Sequence, residues 1–197
     1  MTLRQKILKA IYPLWSRLNK LTNKRSKIIE NERQNKPVQS LYGIPVELNN
    51  GNTLSLEQYK GKKLLLVNTA SNCGYTPQYA ALQELYTKYN NKLVIIGFPA
   101  NDFGNQEAGN NEQIAEFCQV NFGVTFPLAK KSTVIKSTDQ NKVFQWLTDK
   151  SKNGWNDKAP TWNFSKYLIN EQGLLTNYFD PAIDPGSEEI IKAIDKQ

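Results

Sequence analysis

From about Pro37 onward the chain alternates unbroken apolar runs with segments of helical period. Leu64–Leu65–Leu66–Val67 and Leu93–Val94–Ile95–Ile96–Gly97–Phe98 show no polar alternation, the pattern of strands covered on both faces. Between them Leu82, Leu85, Tyr86 and Tyr89 recur at helical spacing. A strand, a helix and a second buried strand predict a crossover unit, so these two strands should run parallel.

The flanking text fills in the rest. Val46–Glu47–Leu48 and Thr53–Leu54–Ser55–Leu56 surround Asn49–Asn50–Gly51–Asn52, which predicts a hairpin. Asn111 begins a helix with Ile114, Phe117 and Cys118 on one face, and a later helix carries Val143, Trp146 and Leu147. Tyr167–Leu168–Ile169 and Leu174–Leu175–Thr176–Asn177–Tyr178, joined at Glu171–Gln172–Gly173, read as a second antiparallel hairpin before a last helix after Ser187. Parallel strands around a crossover helix, closed by an antiparallel hairpin and a helix, predict an α/β thioredoxin-like fold: a central mixed sheet flanked by helices, with an N-terminal hairpin.

The first 37 residues follow other rules. Leu3, Ile7, Leu8, Ile11, Leu14, Trp15, Leu18 and Leu21 recur at roughly helical spacing among Arg4, Lys6, Lys9, Arg17 and Lys20, with Pro13 expected to kink the helix. Ten Lys and Arg face only Glu30 and Glu32, so the arm is net +8 while the chain is net +7, leaving residues 38–197 at −1. The division is therefore 1–37, a basic amphipathic arm, and 38–197, a single domain. The arm has no continuous apolar core of the length a membrane span needs. It fits an interfacial helix at a membrane surface, a solvated tail or partner-docking helix, or an organelle-targeting segment. Nucleic acid is disfavoured, because the globular part offers no basic surplus to continue a phosphate track.

Composition then limits the chemistry. At 197 residues one domain with an appendage suffices. The absence of histidine removes Cys–His and Ser–His nucleophile pairs and His-ligated zinc or copper. Two cysteines 45 residues apart make neither a zinc site nor the framework of a small secreted domain, and favour a reducing, cytoplasmic setting. Nothing in the sequence asks for a cofactor.

Cys73 lies where the run Leu64–Val67 gives way to Asn68–Thr69–Ala70–Ser71–Asn72 and then to Gly74–Tyr75–Thr76–Pro77. Thr76 and Pro77 suit the N-cap and first position of the next helix. A thiol just ahead of that helix meets unpaired N–H groups and the positive end of the dipole, which favour thiolate. By position alone Cys73 fits equally a nucleophile and an inert small residue in a tight turn.

Further segments decide between these. Asn68–Thr69–Ala70–Ser71–Asn72–Cys73–Gly74–Tyr75–Thr76, Gly97–Phe98–Pro99, Phe103–Gly104–Asn105–Gln106–Glu107 and Trp162–Asn163–Phe164, in this order, resemble the signature segments of glutathione peroxidases across residues 38–197. The resemblance implies a cysteine-dependent peroxidase acting on hydrogen peroxide and organic or lipid hydroperoxides, with Cys73 as peroxidatic residue assisted by Gln106, Trp162 and Asn163. Amide and indole N–H donors suit a chain without histidine, since they stabilise a thiolate and a departing oxygen. It also implies that Cys118, in Ala115–Glu116–Phe117–Cys118, resolves the sulfenic acid as in thioredoxin-dependent members, although Cys118 also reads as a core side chain beside Ile114 and Phe117. For the two sulfurs to meet, that helix is expected to unwind locally.

Ala100 stands where such relatives often carry another cysteine, and Asp102 and Ala108 replace the usual glutamine and proline. The segment Lys130–Asn141 is short, without the longer insertion that builds tetramer contacts in some relatives, so the resemblance implies a monomer. No arginine near Leu175–Phe179 matches the glutathione-binding kind, so thioredoxin is the expected reductant. Two alternatives remain open at this point: a glutathione-dependent peroxidase, and a peroxide sensor or relay that hands a disulfide to a partner protein.

Overall fold

The computed structural model describes residues 1–22 and 27–196; residues 23–26 of the basic arm and Gln197 lie outside the described residues. In chain order the helices are α1 (Leu3–Thr22), α2 (Gln78–Lys88), α3 (Asn111–Phe122), α4 (Lys142–Leu147), α5 (Lys150–Asn153) and α6 (Glu188–Asp195). The strands are β1 (Ile28–Glu30), β2 (Pro45–Glu47), β3 (Thr53–Ser55), β4 (Lys63–Thr69), β5 (Leu93–Pro99), β6 (Lys166–Ile169) and β7 (Leu175–Phe179).

Five strands form one sheet in the order β1-β7-β6-β4-β5, and β2 and β3 form a separate hairpin. The crossover through α2 makes β4 and β5 parallel, with Leu64 opposite Val94 and Thr69 opposite Pro99. The other pairings in the sheet are antiparallel. This is the thioredoxin-like mixed sheet expected from the apolar runs.

Alternation of strand faces explains why the run Leu64–Val67 of β4 has no polar position. Leu64 and Leu66 join a core with Ile96, Phe144, Trp146, Tyr167 and the hairpin residues Val46 and Leu54. Leu65 and Val67 face the other way, into a core built with Leu82 of α2, Ile114 and Cys118 of α3, and Ile190 and Ile194 of α6. Every residue of β4 is buried, so each large side chain contributes about 1.5–3 kcal/mol of transfer free energy. Cys73 belongs to this second core as well.

Two findings differ from the sequence expectation. Ile28–Glu30, inside the segment read as the arm, pairs antiparallel with β7 and becomes the edge strand of the sheet. Helix α2 starts at Gln78, with Pro77 in the capping position and no side-chain cap. Thr76 is used elsewhere, and successive short-range hydrogen bonds, Thr76 N–H to Cys73 O and Tyr79 N–H to Thr76 O, already coil the chain from Cys73 onward.

The parallel pair sets the position of the site. The loop after β4 (residues 70–77) and the loop after β5 (100–110) leave the same end of the sheet. Antiparallel β6 brings the preceding segment 160–165 to that end, since Lys166 pairs with Val67.

Candidate active site

Cys73 sits on the turn between β4 and α2, held by Thr76. The Cys73 N–H donates to Thr76 Oγ1 at 2.9 Å, and that hydroxyl donates to Ala70 O at 2.8 Å. Thr76 thus closes the loop rather than capping the helix. Asn72 N–H donates to Gln106 O at 3.0 Å, which ties the Cys73 loop to the loop after β5.

The third segment is fixed by Asn68 at the end of β4. Its Nδ2 donates to Trp162 O at 3.1 Å and its Oδ1 accepts from Ser165 N–H at 3.0 Å. Its main chain accepts from Phe164 N–H at 2.6 Å. Lys166 Nζ donates to the carbonyls of Phe164, Pro181 and Ile183, so a buried amine with three acceptors pins the same turn from behind. Burial pushes the Lys166 ammonium down to about 7, opposed by Asp184 and Asp180.

These ties bring Cys73, Gln106, Trp162 and Asn163 together. Asn163 Nδ2 donates to Gln106 Oε1 at 3.0 Å. Trp162 stays 38 % exposed, its ring tilted on Phe103 at 5.6 Å between centroids. The Asn163 amide and the Trp162 indole face the Cys73 sulfur, while Tyr75 N–H hydrogen-bonds it at 3.4 Å. Gln106 reaches the thiol through Asn163. Backbone strain flanks the group: Asn105 and Phe164 both have positive φ, 52° and 69°. For a buried phenylalanine that conformation costs about 1–3 kcal/mol, and the Asn68 and Lys166 hydrogen bonds hold it in place.

The thiol itself departs from the thiolate expected at a helix start. Cys73 is 1 % exposed, and burial raises its pKa above the ordinary thiol value. The N–H groups of Tyr75 and Gly74 and the Asn163 and Trp162 side chains pull it down, without overcoming desolvation. Cys73 is therefore a protonated thiol at neutral pH in this conformation, surrounded by donors that wait for negative charge.

Cys118 lies in the same core, 0 % exposed, and both cysteines are free. Burial pushes its thiol up to about 12; facing Tyr79 lowers it somewhat and Glu107 raises it. Helix α3 is well fixed at its start by a capping box between Asn110 and Gln113. At its end Gly123 adopts left-handed backbone, with φ 63°, and its N–H returns to the carbonyls of Cys118 and Gln119. Cys118 thus lies at the start of the C-terminal turn, and helix ends open at least cost.

Sequence reasoning assigned no task to Asn68 or Glu107, and gave Thr76 a helix cap. Asn68 and Thr76 position the site, and the signal for Asn68 was a polar residue ending an otherwise apolar buried strand, which must find partners. Glu107 is 1 % exposed beside Ser71, and among the described residues its Oε2 has no hydrogen-bond partner. Burial pushes its carboxyl up to about 7, opposed by Ser71 and Lys131. Asp102, where the resembled pattern has glutamine, accepts Val134 N–H at 2.6 Å and fixes the loop after β5.

Helix α1 lies beside the site. Gln5 Nε2 donates to Ser71 O at 2.9 Å, Lys9 Nζ donates to Asn121 O at 2.7 Å over the Phe122 ring, and Tyr12 OH donates to Asp184 Oδ2 at 3.0 Å.

Comparison with known proteins gives the family. Residues 41–148 match the family model described as glutathione peroxidase. A glutathione peroxidase homolog BsaA of Staphylococcus epidermidis is 44 % identical over 160 residues, 81 % of this chain and 99 % of that protein. The glutathione peroxidase-like peroxiredoxin 2 of Saccharomyces cerevisiae is 43 % identical over 149 residues, 75 % of this chain and 91 % of that protein. Among solved structures, the apo form of Trgpx superposes with a TM-score of 0.60 at 32 % identity, over 81 % of this chain and 97 % of that one.

Proposed function

This chain belongs to the glutathione peroxidase family and is a thiol peroxidase, and on that premise we propose a two-cysteine cycle: Cys73 reduces hydrogen peroxide and organic or lipid hydroperoxides, Cys118 resolves the product, and thioredoxin restores both thiols. The observation that carries the reading is a single buried thiol at a strand-to-helix turn, faced by the Asn163 amide, the Trp162 indole and the Tyr75 N–H.

Cys73 Sγ attacks one peroxide oxygen and the O–O bond breaks. The sulfur becomes a sulfenic acid, and the leaving oxygen takes the thiol proton to depart as water or alcohol. The sulfur reacts as thiolate, so the thiol proton leaves it as it attacks and is the proton the departing oxygen takes up. Asn163 Oδ1 is buried and has no hydrogen-bond partner among the described residues, so it is available to accept the peroxide O–H or a water that carries the proton. As negative charge grows on sulfur and then on oxygen, the donors already in place gain strength in a site from which water is largely excluded. Gln106, through its bond to Asn163, orients that amide.

Resolution follows by thiol attack on the sulfenic sulfur. The Cys118 proton leaves with the hydroxyl as water, and a Cys73–Cys118 disulfide forms. This requires the last turn of α3 to open at the Gly123 cap. Two electrons from the thioredoxin dithiol then reduce the disulfide by exchange. The lack of an arginine between Leu175 and Phe179 supports thioredoxin over glutathione. The enzyme acts as a monomer in a reducing compartment, with residues 38–197 carrying the chemistry and residues 1–37 providing peripheral contact with a membrane. Among the described residues no helix is long and apolar enough to cross one.

The test is peroxide-dependent NADPH oxidation with thioredoxin and its reductase, on the wild type, Cys73→Ser and Cys118→Ser. Both variants should fail, with sulfenic or sulfinic acid accumulating at Cys73 in Cys118→Ser. Full thioredoxin-driven turnover by Cys118→Ser refutes the resolving role, and turnover of the wild type with glutathione alone refutes the reductant.

A further inference from the structure

Helix α1 carries two apolar faces, and the domain uses only one of them. Met1, Gln5 and Leu8 close over Cys73, Thr76, Pro77 and Phe122, leaving only a gap too tight to admit a free water. Gln5, Lys9 and Tyr12 anchor that face to Ser71, Asn121 and Asp184. At 100° per residue, positions 1, 5, 8, 9 and 12 fall on one side of the helix, and 3, 7, 11 and 14 on the opposite side.

Those opposite positions are Leu3, Ile7, Ile11 and Leu14, exposed by 76, 51, 51 and 66 %. They make a stripe roughly 16 Å long at 1.5 Å per residue. A water-facing row of four large aliphatic side chains on one helix is not what a solvated surface selects. The helix holds five Lys and Arg, and no acidic residue precedes Glu30.

We propose that α1 is a two-faced lid, whose inner face seals the Cys73 pocket and whose outer stripe docks on an anionic lipid bilayer, docking that draws the inner face off Cys73. The inference rests on Cys73 as the reacting thiol. A narrow apolar stripe bordered by cations and free of carboxylates is the composition of a helix lying at an anionic interface. A second copy of this chain fits less well. Four side chains fall well short of the roughly 800 Å² per partner that a stable interface takes, and two cationic helices would repel. Engagement of the bilayer reorients α1 as a unit, so its contacts with Ser71, Asn121 and Asp184 loosen together. The site then opens where a lipid-borne hydroperoxide would meet it.

The experiment measures co-sedimentation of the full chain with vesicles of phosphatidylcholine containing phosphatidylglycerol, against phosphatidylcholine alone. In the same samples the rate of Cys73 labelling by a bulky maleimide is read by mass spectrometry. Neither readout needs peroxidase turnover, so failure here is distinct from failure of the proposed catalytic cycle. The expected result is binding to the anionic vesicles only, reversed by high salt, with Cys73 labelling accelerated about tenfold or more. Ile7→Asp combined with Ile11→Asp, at exposed positions the fold does not use, should abolish both effects while leaving labelling in free solution unchanged. Equal binding to neutral vesicles, binding without faster labelling, or a concentration-dependent dimer abolished by the same double variant would each overturn the proposal.

Discussion

Replacing Glu107 by glutamine should remove a pH dependence that the wild-type fold carries at its active-site end. The folded carboxyl is pushed by burial from an ordinary 4.5 to about 7, against Ser71 and Lys131 which favour its charge. Its folded pKa is therefore above its unfolded one, so the contribution is fully present below pH 4.5 and lost as pH rises through 7. A shift of that size corresponds to about 3 kcal/mol, of which about 2.5 kcal/mol falls between pH 5 and pH 8. Urea unfolding followed by tryptophan fluorescence gives the stability of both proteins at several pH values across this range. Other titrating groups, Lys166 among them, contribute to both curves and cancel in the difference. Wild-type minus Glu107→Gln stability should fall by about 2.5 kcal/mol from pH 5 to pH 8. A flat difference, or one that rises with pH, would refute the claim that burial raises the Glu107 carboxyl in the folded protein.

Two more outcomes follow from the same site. Asn68→Ala leaves Trp162 O and Ser165 N–H without their side-chain partner, so stability should drop by about 2–4 kcal/mol. Its peroxidase kcat/KM should fall at least about tenfold although Asn68 touches no substrate, because Trp162 and Asn163 lose their placement; unchanged kinetics with lowered stability would make Asn68 merely structural. Because burial raises the Cys73 thiol, its alkylation by iodoacetamide in Cys118→Ser should still be climbing as pH passes the ordinary thiol value, and a plateau reached by pH 7 would contradict the balance of burial against donors.

The sheet and the main constellation were legible because they rest on strong local patterns. Buried β4 and β5 need uninterrupted apolar residues, and their parallel pairing follows from the intervening helix. Helix α3 announced itself through the apolar face of Ile114, Phe117 and Cys118 after Asn111. What the sequence concealed depends on partners far along the chain. Ile28–Glu30 is a strand because β7 offers an open edge, and three residues among Lys and Glu give no period of their own. Thr76 looked like a helix cap, yet the nearest unpaired groups were Cys73 N–H and Ala70 O, and the hydroxyl went to them. The Cys73 thiol looked activated because a sequence displays the helix start and not the bulk that covers it. The amphipathic pattern of α1 was plain, but two apolar stripes compete on that helix, and only the packed molecule shows which one meets Cys73.

The edge strand β1 changes what opening of α1 means. Ile28 is stitched to Phe179 and only five residues separate it from the last residue of α1, so a released α1 cannot retreat farther than roughly 22 Å along a fully extended connection. The helix is thereby kept as an intramolecular competitor for the mouth of the pocket, present at an effective concentration on the order of millimolar however dilute the enzyme is. Reclosure is then first order, independent of expression level. A cut in the chain between Thr22 and Ile28 would convert it into a bimolecular event and leave the thiol open.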